Sequence, residues 1–280
     1  MKRGIVFFVV LTLGVFTCLE PSQALRITLK RVVFEGPKRA ETITLINSSD
    51  KEETYRLGWR HFRMTSDKSL VAVPDDQLTP DIKPVVDMVR FSPRRFTVPA
   101  RSSQQIRMML RLPADLPDGE YRSHLWVRPE ADVEELKLQA KKQEEKTGAK
   151  GGVSLTMLAG VTMPVIVRKG NLQATVSIEG LRATESGGFI TTSYSLIREG
   201  DRSTYGDIEY VCNPGADAYL LRSTKGIAIY PEINQRNFNL RIEKEIGKPR
   251  CATLAVTYTL VDDQDSNKRT LAAEARTQVN

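Results

Sequence analysis

Apolar and polar residues alternate along most of this chain with a period of two. Tyr55, Leu57 and Trp59 fall on one side of the run Thr54–Trp59, and Ile106, Met108, Leu110 and Leu112 share a face from which Arg107 and Arg111 point away. Tyr121–Val127 behaves similarly, and Leu254, Val256, Tyr258 and Leu260 line one side of Leu254–Leu260. Period-two runs are the mark of half-buried strands. Between them stand turn signals: Glu35-Gly36-Pro37, Asn47-Ser48-Ser49-Asp50, Pro117-Asp118-Gly119 and Asn213-Pro214-Gly215. Many short strands at this spacing predict an all-β chain built as β-sandwiches.

One segment departs from the pattern. Residues 131–152 are dominated by Glu, Lys and Gln and end in Gly148, Gly151 and Gly152. Their charge and lack of apolar periodicity predict a mobile loop rather than a helix. A second break falls at Arg168-Lys169-Gly170-Asn171, where one strand pattern stops and another begins. The domain junction is placed there, giving domains of residues 25–168 and 169–280. In the second, strands are expected at Leu172–Leu181, Gly188–Ile197, Asp207–Cys212, Ala218–Leu221, Ile227–Tyr230, Asn237–Ile242, Cys251–Val261 and Arg269–Ala275.

The stretch following the charged loop, 153–168, carries the functional argument. Every odd position from 155 to 167 is apolar: Leu155, Met157, Ala159, Val161, Met163, Val165 and Val167. Its C-terminal half reads as a core strand. Its N-terminal half emerges from the loop, where a hydrophobic strand is an aggregation hazard unless something covers it. Two uses fit that half: a strand of the chain's own core, or one lent to another protein's open sheet by β-augmentation. Four fully buried side chains at roughly 1.5–3 kcal/mol each suffice to hold a partner, even after the ordering of a loop is subtracted.

The ends and the composition bound the setting. Lys2 and Arg3 precede an uncharged, mostly apolar run from Ile5 to Leu19, and Ser22-Gln23-Ala24 offers small residues where a signal peptidase reads. That order predicts a cleavable secretory signal over residues 1–24. The run is shorter than the roughly 20 residues of a membrane-spanning helix, and Phe16 and Thr17 are poor neighbours for a lipid-anchored Cys18. No later stretch is apolar enough to span, so no stable membrane insertion is expected. The formal charge of +7 is spread among acids on alternating positions, without the clustered basic face of a nucleic-acid binder. With Cys18 removed, Cys212 and Cys251 remain, and an even pair in an exported chain favours a disulfide over two buried thiols.

Catalytic signals are lacking. The two histidines, His61 and His124, show no metal-ligand spacing. There is no Gly-x-Ser-x-Gly elbow, no His-Glu-x-x-His helix and no phosphate-cradling glycine loop. No enzyme activity, cofactor or metal is expected.

Several segments in order resemble the PapD-like periplasmic chaperones of the chaperone–usher pathway. Leu29–Gly36 resembles that family's first strand, and Thr42–Asn47 followed by Tyr55–Trp59 resembles its sequel. Phe91–Pro99 with Gln105-Ile106-Arg107 matches its Pro-rich strand and basic successor, and Leu116–Val127 resembles the strand before the donor segment. The likeness covers residues 26–168 well and the rest loosely. It implies two immunoglobulin-like sandwiches set at an angle, pilin-like subunits as partners and delivery to an outer-membrane usher. It also implies donation of Leu155, Met157, Ala159, Val161 and Met163 to a subunit, and an anchor for the subunit's terminal carboxylate at Arg31. The family's second anchor, a lysine, falls here on Pro164, so the expectation is that Arg168 or Lys169 substitutes or that this branch anchors subunits differently. The long loop and the methionines of the donor segment look like the divergent or archaic branches, with tolerance for more than one subunit. Self-association that caps the strand is a further expectation. The competing class is an exported immunoglobulin-like component of a pilus or surface fibre, which receives strands instead of lending them.

Overall fold

The computed structural model describes residues 25–67, 70–130 and 160–280. The predicted signal segment, the charged loop and Leu155, Met157 and Ala159 lie outside these residues. Among the described residues ten strands build a first sandwich: β1 (Leu25–Ile27), β2 (Val32–Phe34), β3 (Ala40–Asn47), β4 (Glu53–Met64), β5 (Leu70–Val73), β6 (Val89–Ser92), β7 (Arg95–Val98), β8 (Ser103–Leu110), β9 (Gly119–Pro129) and β10 (Val161–Lys169). One sheet runs β1-β3-β8-β6; the other runs β2-β10-β9-β4-β5, with β7 also on β4. Every pairing is antiparallel except β2 on β10.

The alternation read from the sequence becomes the core of this sandwich. Ile43 and Leu45 of β3 and Ile106 and Met108 of β8 face Tyr55 of β4, Leu125 and Val127 of β9 and Val165 and Val167 of β10, all with no exposed surface. Turns carry their own polar bonds. Asn47, fully buried at the end of β3, donates its carboxamide to Lys51 O at 2.7 Å and Val98 O at 3.2 Å. Its Oδ1 accepts from Ser49 N at 3.0 Å, closing the predicted Asn47–Asp50 turn.

A second sandwich follows after Gly170. Its strands are β11 (Ala174–Ser186), β12 (Phe189–Gly200), β13 (Thr204–Cys212), β14 (Tyr219–Ile229), β15 (Gln235–Glu243), β16 (Thr253–Val261) and β17 (Arg269–Gln278). They form sheets β11-β12-β15 and β14-β13-β16-β17 around Ile190, Leu196, Ile208, Tyr210, Leu254, Val256 and Tyr258. The two short strands expected at Ala218–Leu221 and Ile227–Tyr230 are one strand, β14. Its pairing with β13 slips twice, and Gly226 at φ +78° takes the left-handed backbone that one of the bulges needs. The break in the apolar pattern is thus a bulge, not a turn. Cys212 and Cys251 are joined in a disulfide with Cα atoms 5.2 Å apart. Among the described residues no helix is long and apolar enough to cross a membrane.

Candidate functional site

Strand β10 positions the candidate site, because its two faces and its two edges meet different surroundings. Odd positions face the core of the first sandwich: Val165 and Val167 have no exposed surface and Met163 has 2%. Val161, where the core face reaches the end of the sandwich, is 38% exposed. Ile166 and Arg168 face the second sandwich. Ile166 packs with Val33, Met64 and Tyr230, and Arg168 reaches into an ion cluster. One edge of β10 is paired with β9 along its whole length, Val161 opposite Val127 and Lys169 opposite Gly119. The other edge is covered by β2 only at Val165–Val167. Among the described residues, Val161–Pro164 have no strand on that side.

Val161 and Met163 were both expected on a donated face, and the structure separates them. Met163 belongs to the sandwich's own core, packed with Leu125 and Val127 in one cluster, so its side chain is spent within the chain. Gly160, just before β10, lies so close to Trp126 that an added Cβ would stand 2.6 Å from the indole nitrogen. The guanidinium of Arg60 lies 4.2 Å from the Trp126 ring centre and that of Arg128 5.1 Å.

At the far end of β10, Arg168 is buried with its side chain 1% exposed. Its Nε donates to Glu120 Oε2 at 2.9 Å, and its Nη1 to Asp263 Oδ2 at 2.6 Å and Glu35 Oε2 at 3.0 Å. Its Nη2 donates to Ser203 Oγ at 3.2 Å. Burial works against its charge, but Glu120 and Asp263 more than reverse this, and its pKa is raised. Every nitrogen of Arg168 is thus bonded to this chain's own groups. Lys169 is engaged as well, its Nζ donating to Ala114 O at 3.0 Å and to Leu116 O. Both substitutes expected for the missing lysine are thus engaged within the chain. Pro164 itself lies opposite His124, in the stretch of β10 with a single paired edge.

Arg31 is different. It sits in the link before β2, its side chain 8% exposed, with its guanidinium 4.5 Å from the Tyr205 ring centre. Its Nε is 3.2 Å from Asp263 Oδ1, yet neither this nitrogen nor Nη1 or Nη2 makes a hydrogen bond among the described residues. A buried guanidinium with unused donors forfeits hydration without a replacement. Its planar fork matches a carboxylate in a bidentate arrangement.

Three further groups of this cleft were not legible from spacing. Arg122 of β9 forks onto Glu232 of the second sandwich, Nη2 to Oε1 at 2.6 Å and Nη1 to Oε2 at 3.2 Å, and lies 3.5 Å from the Tyr230 ring centre. Ser203 donates from both N and Oγ to Glu120 Oε2, at 3.0 and 2.8 Å. Arg198, 1% exposed, bonds Gly200 O at 2.8 Å and Arg202 O at 3.1 Å on one loop, and Ile233 O at 3.3 Å and Asn234 Oδ1 at 3.0 Å on another. It thereby shapes the two loops that present Ser203 and Glu232 to the first sandwich.

The buried histidines flank this region. His124, 2% exposed, lies between the Phe62 and Tyr230 rings, and neither ring nitrogen has a partner among the described residues. Burial, then the charge of Arg122, then His61 push its pKa down to about 3. His61 is also lowered by burial, against a smaller opposing pull from Asp75. Ser123 Oγ stands 3.4 Å from His61 Nδ1, and His61 Nε2 stands 3.5 Å from Asp75 Oδ1. These are the residue types of a hydrolase triad. Ser123 has no exposed surface, however, and its Oγ accepts from Val85 N at 3.0 Å, so no substrate carbonyl can approach it.

No family model matches the chain, and no curated protein matches it. Solved structures similar to it over 91% of its length include chaperones, alone and in complex with a pilin or a tip subunit. The Pseudomonas aeruginosa CupB2 chaperone is 12% identical, with a TM-score of 0.46 and all of its own chain covered. The CsuC–CsuE chaperone–tip subunit pre-assembly complex of archaic Csu pili from Acinetobacter baumannii gives 9% identity, a TM-score of 0.47 and 99% of that chain covered. The Salmonella enterica SafA pilin in complex with the SafB chaperone gives 12%, 0.42 and 95%.

Proposed function

We propose that this chain is a periplasmic chaperone for pilin-like subunits, which it binds by lending the N-terminal part of β10 to a subunit's incomplete sheet. The observation that carries this reading is the half-covered strand: among the described residues Val161–Pro164 have no strand on one edge, while Val161 leads out of the core. Upstream, the odd positions Leu155, Met157 and Ala159 continue the same apolar series in the sequence. A strand added along that edge gains main-chain hydrogen bonds, and the apolar side chains beyond the sandwich fill the partner's groove. Arg31 then receives the subunit's C-terminal carboxylate and fixes the register of the added strand. The loaded chaperone delivers its subunit to an outer-membrane usher. The energy of release is stored in the subunit's unfinished fold, so no nucleotide is required.

Co-purification from the periplasm with a pilin-like subunit tests this. The wild-type chain is expected to capture the subunit, Met157→Asp/Val161→Asp to lose it, and Arg31→Ala to bind more weakly. Capture that persists with both charges in the strand refutes donation. It favours the competing reading, a fibre component that receives strands.

A further inference from the structure

The cleft around Arg31 already contains a carboxylate. Asp263, in the turn between β16 and β17, has a side chain 6% exposed and uses Oδ2 on Arg168 at 2.6 Å and Arg202 at 3.4 Å. Its Oδ1 faces Arg31 Nε at 3.2 Å without a hydrogen bond, and both atoms are buried and unpartnered among the described residues. The contact is thus an ion pair in charge but not in bonding. Asp263 is held by the other two arginines and crowds the third.

From this we infer that Asp263 is a resident competitor for the Arg31 carboxylate seat, so that docking of a partner's terminal carboxylate and closure of the two sandwiches oppose one another. The inference rests on the reading of Arg31 as the carboxylate receptor. A carboxylate arriving on Nη1 and Nη2 meets the charge of Asp263 within a few ångströms, and in a desolvated cleft like charges repel strongly. Relief comes from moving the 262–268 turn, which belongs to the second sandwich. Binding therefore loosens the interface, and by linkage a looser interface binds more tightly. Donation of β10 needs no such movement, because its open edge lies at the opposite end of the strand. The carboxylate seat thus sets how firmly a partner is held, and the strand sets whether it is held.

The test uses the mature chain and a synthetic alternating Val-Thr peptide, prepared with a free C-terminal carboxylate and as its C-terminal amide. Calorimetric titration gives the affinity ratio of carboxylate to amide. Asp263→Asn, which keeps the shape and removes the charge, is expected to raise that ratio about tenfold, and Arg31→Met to bring it to one. In the wild-type chain the carboxylate peptide, unlike the amide, is expected to accelerate amide exchange at Gln264 and Asp265. Both are tied to Asp262 Oδ1 in the same turn, at 2.8 and 3.1 Å, and this readout does not depend on how any variant folds. A carboxylate preference in wild type that Asp263→Asn leaves unchanged or lowers overturns the competition while Arg31 stands as receptor. Equal binding of both peptides by wild type and by Asp263→Asn removes Arg31 as receptor and this inference with it.

Discussion

Replacing His124 with phenylalanine should make the first sandwich more stable and remove part of its sensitivity to acid. The imidazole is 2% exposed, lies between aromatic rings and leaves both nitrogens unpartnered among the described residues. A buried unsatisfied polar group costs roughly 1–3 kcal/mol, and an apolar group of the same shape avoids that cost. The acid term follows from linkage. His124 titrates at about 3 in the folded chain and near 6.5 when unfolded. Its contribution is complete above the unfolded value and is lost as pH falls toward the folded one, because only the unfolded state takes the proton. The slope is about 1.4 kcal/mol per pH unit, so between pH 7.5 and 5.0 this one group removes about 2 kcal/mol. His61, also lowered, adds to the wild-type slope and remains in the variant, so the difference between the two chains isolates His124. Both tryptophans, Trp59 and Trp126, lie in the first sandwich, and their fluorescence in urea reports that unit alone. The expected result is a midpoint raised at pH 7.5 with an unchanged m-value, and a gap to wild type about 2 kcal/mol wider at pH 5.0. A gap that does not widen refutes the neutral, buried imidazole.

Two more outcomes follow from the cleft and the disulfide. Arg168→Met leaves Glu120 and Asp263 without their central cation. It should cost about 3–5 kcal/mol and split calorimetric unfolding into one transition per sandwich; a single unshifted transition rejects the ion cluster as the tie between them. Loss of the Cys212–Cys251 bridge, whose ends are 39 positions apart in the sequence, should destabilise the second sandwich by about 4 kcal/mol by the loop-entropy relation. With the sandwiches uncoupled by Arg168→Met, Cys212→Ala/Cys251→Ala should therefore move the far-ultraviolet melt and leave the tryptophan signal in place; coincident shifts in both signals contradict that separation.

Many of the strands were legible because they have one dry face and one wet face. Val256 and Tyr258 of β16 and Ile106 and Met108 of β8 announce themselves at every second residue, and the structure buries all four. Strand β14 was read as two pieces because its bulges break the period without ending the pairing. The cleft was far less legible. Glu120, Ser203, Glu232 and Asp263 converge from separate loops and strands, and pairs such as Arg122–Glu232, 110 residues apart, leave no spacing signal. Arg168 illustrates the cost: its sequence position next to the strand end suggested a free cation, and only the fold reveals four groups already bonded to it. Arg31, singled out by likeness alone, is a buried cation with unused donors among the described residues.

Strand β10 answers to two masters on alternate residues, and this divides its tolerance for change. Substitutions at Met163, Val165 or Val167 are judged by the interior of the first sandwich, where a poor fit yields an unfolded chain. Substitutions at Ile166 or Arg168 are judged by the seam with the second sandwich, where a poor fit leaves two folded halves that no longer move together. A library randomised over this single strand should thus sort into two phenotypes with the parity of the position. The even-numbered set is then the natural place to look for variants that alter how the halves communicate while each remains intact.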